Sequence, residues 1–417
     1  MRVEIVTIGD ELLLGYTIDT NAAHLARELA AFGVEIVRRT TVGDAADDIA
    51  AGVRDALERT GAVITTGGLG PTADDQTKPA IASLFGRGMH LHEGHLEWLR
   101  ERWRKRFDRP LPKSNEQQAM IPEGATLLRN DYGSAPGIWL EDERGRWVAM
   151  LPGVPREMRG MLADVLVPEL ASRTRGRAAP TVIRSRTLRT TGIAESALAD
   201  TLADLASGVE GLPLAYLPGW EGVDLRLTAR DLRASDADAA LERGAAAIRE
   251  RVGQWIYGEG SDDLAATVLD GMRRARARLA VGESCTGGML GARITAIPGS
   301  SDVFAGGVIA YDNEVKLGQL GVHAETLHAA GAVSEPVVRE MARGARERLA
   351  ADFGVAITGV AGPGGGSDEK PVGTVWIGLD DSRHGETRRF NLIGDRDEIR
   401  RRATQAALEM LRRRLER

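Results

Sequence analysis

Short apolar runs rich in β-branched residues alternate with helix-periodic stretches at both ends of this 417-residue chain, and the strands run into glycine-rich or acidic loops. Near the start, residues 4–8, 34–41 and 62–66 read as strands. A helix capped by Asp19 or Thr20 runs through Phe32, and another covers 44–59 with Gly61 at its end. Further helices are predicted over 73–84, 93–107 and 154–170, with short strands near Leu127, Ile138 and Val148. Such alternation predicts a parallel sheet covered by helices, with ligands beyond the carboxyl ends of its strands. The pattern resumes after Ser261 with a helix over 264–275 and a strand over 278–282. Strands at 306–311, 355–358, 374–379 and 387–392 follow, with helices over 314–320, 335–352 and 396–415.

Between these ends, residues 173–180 (RTRGRAAP) read as a linker, and 181–257 as a small α+β unit. The expected fold class is therefore α/β: two three-layer α/β domains, 1–172 and 261–417, joined by a small α+β domain, 173–260. The middle segment carries no cluster of chemical groups, so spacing or dimerisation is its expected role. At roughly 150 residues per domain, several domains are also what the length requires.

Acidic residues outnumber basic ones, 60 to 54, which gives no footprint for a nucleic-acid binder. No stretch approaches the apolar length of a membrane span, and Met1 runs directly into an alternating segment, so a cytoplasmic location is expected. The single cysteine, Cys285, agrees with a reducing compartment. Only Lys78, Lys105, Lys113, Lys316 and Lys370 are lysine among those basic residues. A lysine retained in such a chain is a candidate for a task arginine cannot perform, titration near neutrality when desolvated.

Three segments bring carboxylates and glycines to strand ends: Gly9, Asp10 and Glu11; TGGLGPTADD, 66–75; and PGVPRE, 152–157. Glycines let backbone N–H groups approach an anion, while Asp74 and Asp75 would repel a bare phosphate. A nucleoside diphosphate with a divalent cation is the implied guest. The plainer alternative is that the glycines are turns and the aspartates cap the next helix. The segments GDELLLGYTIDTN (9–21), TTGGLGPTADDQT (65–77), KSNEQQAMIP (113–122), GSAPG (133–137) and LPGVPREM (151–158) resemble the N-terminal domain of the CinA family, itself similar to molybdopterin-binding domains. The resemblance implies metal-dependent ADP-ribose pyrophosphatase activity, with magnesium or cobalt as the divalent metal and potassium as a further ion. By it, Gly67, Gly68 and Gly70 contact phosphate, Asp75 with Asp74 or Asp10 holds metal, and Asp19, Asn21, Ser114, Asn115 and Glu157 contact ligand.

In the C-terminal domain, Glu283 to Gly288 lie between a strand and a helix, where a nucleophile is exposed and helix N–H groups can receive an oxyanion. His323, His328 and His384 fall outside its motif segments, so a Ser-His-Asp triad is poorly supported. A Ser284–Lys316 pair is the economical alternative, and Cys285 rivals Ser284 evenly on residue chemistry alone. AVGESCTGG (280–288), GSSDVFAGGVIAYDNEVK (299–316), GAVSEPVVREMA (331–342), ITGVAGPGGGSDEKPVGTVWIGL (357–379) and GDRDEIR (394–400) resemble the nicotinamide-mononucleotide amidases, which include the CinA C-terminal domain. The resemblance implies Ser284 as nucleophile and Lys316 as base, with Tyr311, Thr358 and Arg396 in the polar network. It also implies Thr286, Gly287, Gly288, Gly362, Gly364, Gly365 and Ser367 around the substrate, and no cofactor. Asp312 departs from a frequent serine, and its charge opposes a lowered Lys316 pKa; it is expected to face solvent. Small-molecule nucleotides and a second copy of the chain in a homodimer are the expected partners, with no nucleic acid and no membrane.

Three signals read as structural. His90, His92 and His95 are expected in an exposed polar stretch rather than a zinc site. RERWRKRF, containing Lys105, reads as a solvated helix face with buried aromatics, Trp98 and Trp103, rather than a nucleic-acid patch, and the arginines of 412–417 as a complement to the helix dipole. The family name also implies a reading as an interaction protein of DNA uptake or repair, against which the acidic balance and the near-complete catalytic motifs count.

Overall fold

The computed structural model describes residues 1–174 and 181–416. The chain divides into two compact units, Met1–Arg184 with Ala229–Ala239, and Ser185–Thr228 with Ala240–Arg417. The expected linker, beyond Thr174, lies outside the described residues.

The first unit is built on a six-stranded sheet in the order Glu35–Val42, Arg2–Ile8, Ala62–Thr66, Trp147–Leu151, Gly137–Glu141, Thr126–Leu128. The sheet is mixed, whereas the sequence predicted it parallel. The first four strands are parallel, and a turn through Asp142–Gly145 returns Gly137–Glu141 antiparallel to Trp147–Leu151. Both faces are buried: Val3, Ile5, Ala62, Ile64 and Ala149 point one way, and Val6, Ile8, Val63, Val148 and Met150 the other. Helices Thr20–Ala31 and Pro155–Met161 cover the first face, Ala46–Thr60 and Thr77–Leu84 the second. Glu4 reaches the buried interior because Arg59 meets it with two bonds, at 2.7 and 2.8 Å.

Local chemistry explains the departures. The helix expected from residue 73 begins at Thr77, because the Asp75 carboxylate closes residues 70–76 into a loop. The helix expected over 154–170 is interrupted by a π turn, Leu162–Leu166. Pro168 lacks the N–H that would continue the ladder there. Helix Glu195–Thr201 ends in a 3₁₀ turn, Ala203–Leu205. The histidine stretch is not simply exposed: His92 caps helix Glu93–Phe107 and accepts from the His95 N–H at 3.1 Å. His95 stacks on Trp98, and burial pushes its pKa down to about 4.

In the second unit, Phe304–Ile309, Leu279–Glu283, Phe353–Gly359, Thr374–Asp380 and Gly385–Asn391 form a five-stranded sheet in that order, the first three parallel. Leu279, Val281, Val355 and Ile357 pack under helices Leu264–Ala275 and Arg396–Leu415. Ala280 and Ala356 pack under Asn313–Leu320 and Glu335–Arg348. A short helix, Ala324–Ala330, was not anticipated. Arg412 does more than complement a dipole. It is buried, paired with Glu409 at 2.7 Å and bonded to the Gln254 carbonyl at 2.8 Å, which leaves neither charge stranded.

Gly344 fixes how closely helix Asn313–Leu320 lies against helix Glu335–Arg348, since a Cβ at Gly344 would overlap the Leu320 carbonyl. Gly344→Ala should therefore destabilise the protein by about 1–3 kcal/mol through overpacking. Chemical unfolding of the variant beside the parent measures this, and an unchanged midpoint would show that the two helices separate freely.

Candidate functional site

At the carboxyl ends of the first sheet, a cleft of about 520 Å³ is lined by the loops that follow its four parallel strands. Its floor depends on Gly67 and Gly68, which have φ of 113° and 64°. A Cβ at Gly67 would overlap the Ile8 carbonyl, so only glycine lets the loop cross the neighbouring strand end. Thr77 holds the loop from behind through its hydroxyl on the Gly67 carbonyl at 3.0 Å. Asn21 ties the floor together, its amide donating to Gly153 O at 2.7 Å and Thr66 Oγ1 at 3.2 Å.

Of the residues expected here, Gly67, Gly68, Gly70, Asp19, Asn21, Asp74, Asp75 and Glu157 line the cleft. Asp19 does so while capping helix Thr20–Ala31, accepting from Ala22 N at 2.9 Å. Glu157 is held by the Asn130 amide at 2.6 Å and lies against Gly133, where a Cβ would collide with its carboxylate. Ser114, Asn115 and Asp10 do not line it. Asn115 stands one residue behind, donating to Gln118, which in turn donates to Ser134. Gln118 and Ser134 reach the cleft in its place, a substitution that spacing alone could not reveal. Asp10 turns to Asp44, each carboxylate accepting the other's N–H, at 3.3 and 3.0 Å, and Asp44 takes the cleft position.

The carboxylates do not stand together as a metal cage. Asp75 accepts from Gly70 N at 2.7 Å, Thr72 N at 2.8 Å and the Thr72 hydroxyl at 2.5 Å, which engages both its oxygens in the loop. Among the described residues no group of three His, Cys, Asp or Glu side chains could hold a metal. The donors are nonetheless hard oxygens, and a magnesium-type ion is commonly held by one or two carboxylates and the substrate's phosphates. Asp74 suits that arrangement, being exposed and kept below the usual carboxylate range by hydrogen bonding from Thr72. Behind the loop Lys78 is buried on the Gln117 carbonyl at 2.5 Å, and desolvation lowers its pKa to about 8 against the opposing pull of Asp75.

In the second unit, strand Leu279–Glu283 ends between Ile309 and Ile357. Ser284 N donates to Ile357 O at 2.9 Å, which seats the serine at the carboxyl end of the sheet, half-buried. The turn is shaped by Glu283, whose carboxylate, 1% exposed, accepts from Gly288 N, Leu290 N and Gly291 N at 3.0, 3.1 and 2.8 Å. Those are the N–H groups at the start of helix Met289–Thr295, so this carboxylate occupies the helix terminus expected to serve an oxyanion. The N–H of Thr286, nearer the nucleophile, has no backbone acceptor among the described residues, and that of Cys285 faces its own thiol. The sequence carried one cue to Glu283, a charged residue at the end of an apolar strand opening a glycine turn.

Lys316 is 1% exposed. Its amine donates to the carbonyls of Ala310 at 2.9 Å and Tyr311 at 3.2 Å, and Ala310 N in turn donates to Glu283 O at 2.7 Å. That chain of contacts brings the amine to the nucleophile turn, close enough for charge interaction with Cys285, although no hydrogen bond joins it to the Ser284 hydroxyl. Burial lowers its pKa, opposed by Asp312. Asp312 is exposed, as expected, and caps helix Asn313–Leu320 by accepting from Glu314 N at 2.8 Å. Burial pushes the Cys285 thiol up to about 12, so the sulfur stays protonated near neutrality and is the weaker candidate nucleophile.

Arg396 joins two of the expected partners, donating to the Tyr311 hydroxyl at 2.8 Å and to Gly362 O at 2.5 Å. Thr358 points elsewhere, donating to Ala332 O at 2.8 Å, because its strand register aims the hydroxyl at the loop before helix Glu335–Arg348. Arg400 holds the Thr286 carbonyl at 2.8 Å, while the Thr286 hydroxyl is buried with no partner. Gly287 and Gly288, with φ of 59° and 93°, make the turn possible. Gly364, Gly365 and Ser367 lie in an exposed loop, where Ser367 pairs with Lys370 rather than with any group of the nucleophile turn.

Three family profiles match successive segments of the chain. Residues 4–172 match the family profile described as a probable molybdopterin binding domain, 185–258 the damage-inducible protein CinA KH domain, and 261–415 the CinA C-terminal domain. A CinA-like protein of Gemmatimonas aurantiaca is 64% identical over 99% of this chain and 96% of its own length. Another, from Salinibacter ruber, is 43% identical over the whole of both chains. Among solved structures, the competence/damage inducible protein CihA of Agrobacterium tumefaciens is 40% identical, covering 37% of this chain and 94% of its own, with a TM-score of 0.36. No helix of the described residues is long and apolar enough to cross a membrane. Matched along nearly its full length by such relatives, the chain belongs to the CinA family.

Proposed function

We propose that the C-terminal domain hydrolyses the carboxamide of nicotinamide mononucleotide to nicotinic acid mononucleotide and ammonia. The observation that carries this reading is a desolvated lysine amine held on the Ala310 carbonyl, next to the end of the strand that leads into Ser284. Neutral Lys316 takes the Ser284 proton as the serine oxygen bonds to the carboxamide carbon. The oxyanion is received by the N–H of Thr286. The Lys316 ammonium returns the proton to the departing nitrogen, the C–N bond breaks, and water then hydrolyses the ester to release the acid and regenerate the serine. Arg396, through Tyr311 and Gly362, steadies the walls around the nucleotide.

Ser284→Ala and Lys316→Ala should each lower ammonia release by at least about 100-fold, as loss of a nucleophile or a general base does. Cys285→Ala should keep most of it. Lys316→Arg should fail like Lys316→Ala, since a guanidinium does not give up its proton. Loss in the cysteine variant alone, measured by ammonia assay, contradicts the assignment. Because the base must be neutral and burial lowers its pKa, the rate should rise with pH through a limb below the ordinary lysine value of about 10.5. A rate flat from pH 6 to 10 excludes Lys316 as the titrating group.

The cleft of the first unit is read as a metal-dependent ADP-ribose pyrophosphatase, releasing AMP and ribose 5-phosphate. Asp74 would hold the divalent ion together with the substrate's phosphates, and Asp75 keeps the phosphate-facing loop closed. Such an ion supplies charge neutralisation at the diphosphate and activation of water. The glycine loop orients the phosphates through its N–H groups, and Glu157, fixed by Asn130, borders the same space. A second reading, binding of a pterin or nucleotide without turnover, is favoured by the engagement of both Asp75 oxygens in the loop. Chelator should abolish AMP release while sparing ammonia release, and Asp74→Asn should lower AMP release by about 100-fold. Tight nucleotide binding with no AMP at any metal concentration selects the second reading.

A further inference from the structure

Away from both sites, the second unit holds a cavity of about 500 Å³ between helix Arg396–Leu415, the turn at 218–223 and the segment after Thr190. That is the size of a pocket for a small organic ligand. Its walls include the indoles of Trp220 and Trp255 and the ring of Phe390. Of the charged groups in these walls, only Glu195 and Arg402 have no ion-pair partner among the described residues, and Glu195 is exposed to solvent. Gln405 accepts from Arg293 at 2.6 Å and donates to Thr191 at 3.1 Å. Glu221 is bound by Arg293 at 2.9 Å, Arg413 by Glu409 at 2.6 Å, and Arg388 by Glu386 at 3.1 Å. Arg402 has no acidic partner among the described residues, and its Nε is shielded from solvent with no acceptor.

An N–H of a guanidinium shielded in this way costs free energy until something supplies an acceptor. The neighbouring arginines already have their carboxylates, so the cavity offers one free positive charge and aromatic surface beside it. We propose that it binds a small molecule made of a planar ring bearing a single anionic group, of the size of a nucleoside monophosphate. The anion pairs with the Arg402 guanidinium, and the ring lies against the indoles. A di- or triphosphate would bring charge that no further free arginine in these walls meets.

The test uses full-length protein labelled with 5-fluorotryptophan, whose Trp220 and Trp255 fluorine resonances are assigned by Trp→Phe variants. AMP and nicotinate serve as phosphate- and carboxylate-bearing probes, with adenosine as ring without anion and ribose 5-phosphate as anion without ring. Saturable shifts of either indole with AMP or nicotinate are expected, and the tighter probe identifies the preferred anion. Adenosine and ribose 5-phosphate should bind at least about tenfold more weakly, and Arg402→Gln should weaken the active probe at least about tenfold. Arg402→Lys, which keeps the charge but loses the paired N–H groups, should fall between, and it serves in place of Arg402→Gln if that variant does not fold. The proposal is overturned if neither probe moves either indole, if ribose 5-phosphate binds as well as AMP, or if the Arg402 variants bind like the parent.

Discussion

The Glu283 carboxylate, buried on the three N–H groups that open helix Met289–Thr295, is the contact around which the C-terminal site is organised. An ionised carboxylate can stay in the interior only if its oxygens are met, and here the backbone meets them. The consequence is geometric. With Gly288, Leu290 and Gly291 tied to the end of the strand, the turn from Ser284 to Gly287 is held at both ends, and Ser284 stands at the carboxyl end of the sheet. The consequence is also electrostatic. A fixed negative charge beneath the turn disfavours a second one on Cys285, adding to burial in keeping the thiol protonated, and leaves serine as the better supported nucleophile.

Asp75 does for the first unit what Glu283 does for the second, but by closing a loop rather than capping a helix. Three donors from Gly70 and Thr72 draw the glycine loop around it, so Gly67 meets the strand end at Ile8, and Gly68 the Thr77 side chain, at distances only glycine allows. Carboxylates near a phosphate cradle thus have two physical uses, and the cleft divides them. Asp75, Asp19 and Asp10 are engaged by backbone N–H groups, while Asp74 is exposed. Charge count along the sequence cannot make that division, because it depends on which N–H groups each loop leaves unpaired.

The elements themselves were largely legible because the central strands of the six- and five-stranded sheets are covered on both faces, so they are apolar on both sides while the helices carry one apolar stripe. Where the pattern misled, a single residue had overridden it: Asp75 delaying a helix by its hydrogen bonds, Pro168 interrupting one by its missing N–H, Glu409 drawing Arg412 inward. The site was legible to the level of which loops meet. Which side chains within a loop face the cleft was not, as Asn115 and Asp10 illustrate. Each points to a neighbour, Gln118 or Asp44, that occupies the expected place. Thr358 is the same case, its hydroxyl direction set by strand register rather than by motif.

Lysine usage connects the two units. Lys105 and Lys113 are exposed, where arginine would serve equally, and Lys105 does no more than pair with Glu101 at 2.6 Å. Lys78 and Lys316 are buried, each on backbone carbonyls, and in each desolvation lowers the pKa. An arginine at either position would remain charged whatever its surroundings, and its planar fork would demand more acceptors than one or two carbonyls provide. Carbonyls hold an ammonium by dipole without adding a neutralising charge, so the amine is fixed in place while its proton stays removable. At position 316 that combination sits on the Ala310 and Tyr311 carbonyls, and in the proposed amidase reaction a removable proton there would have a chemical use. Behind the Asp75 loop, the same arrangement at Lys78 supplies a cation whose strength falls as the pH passes about 8.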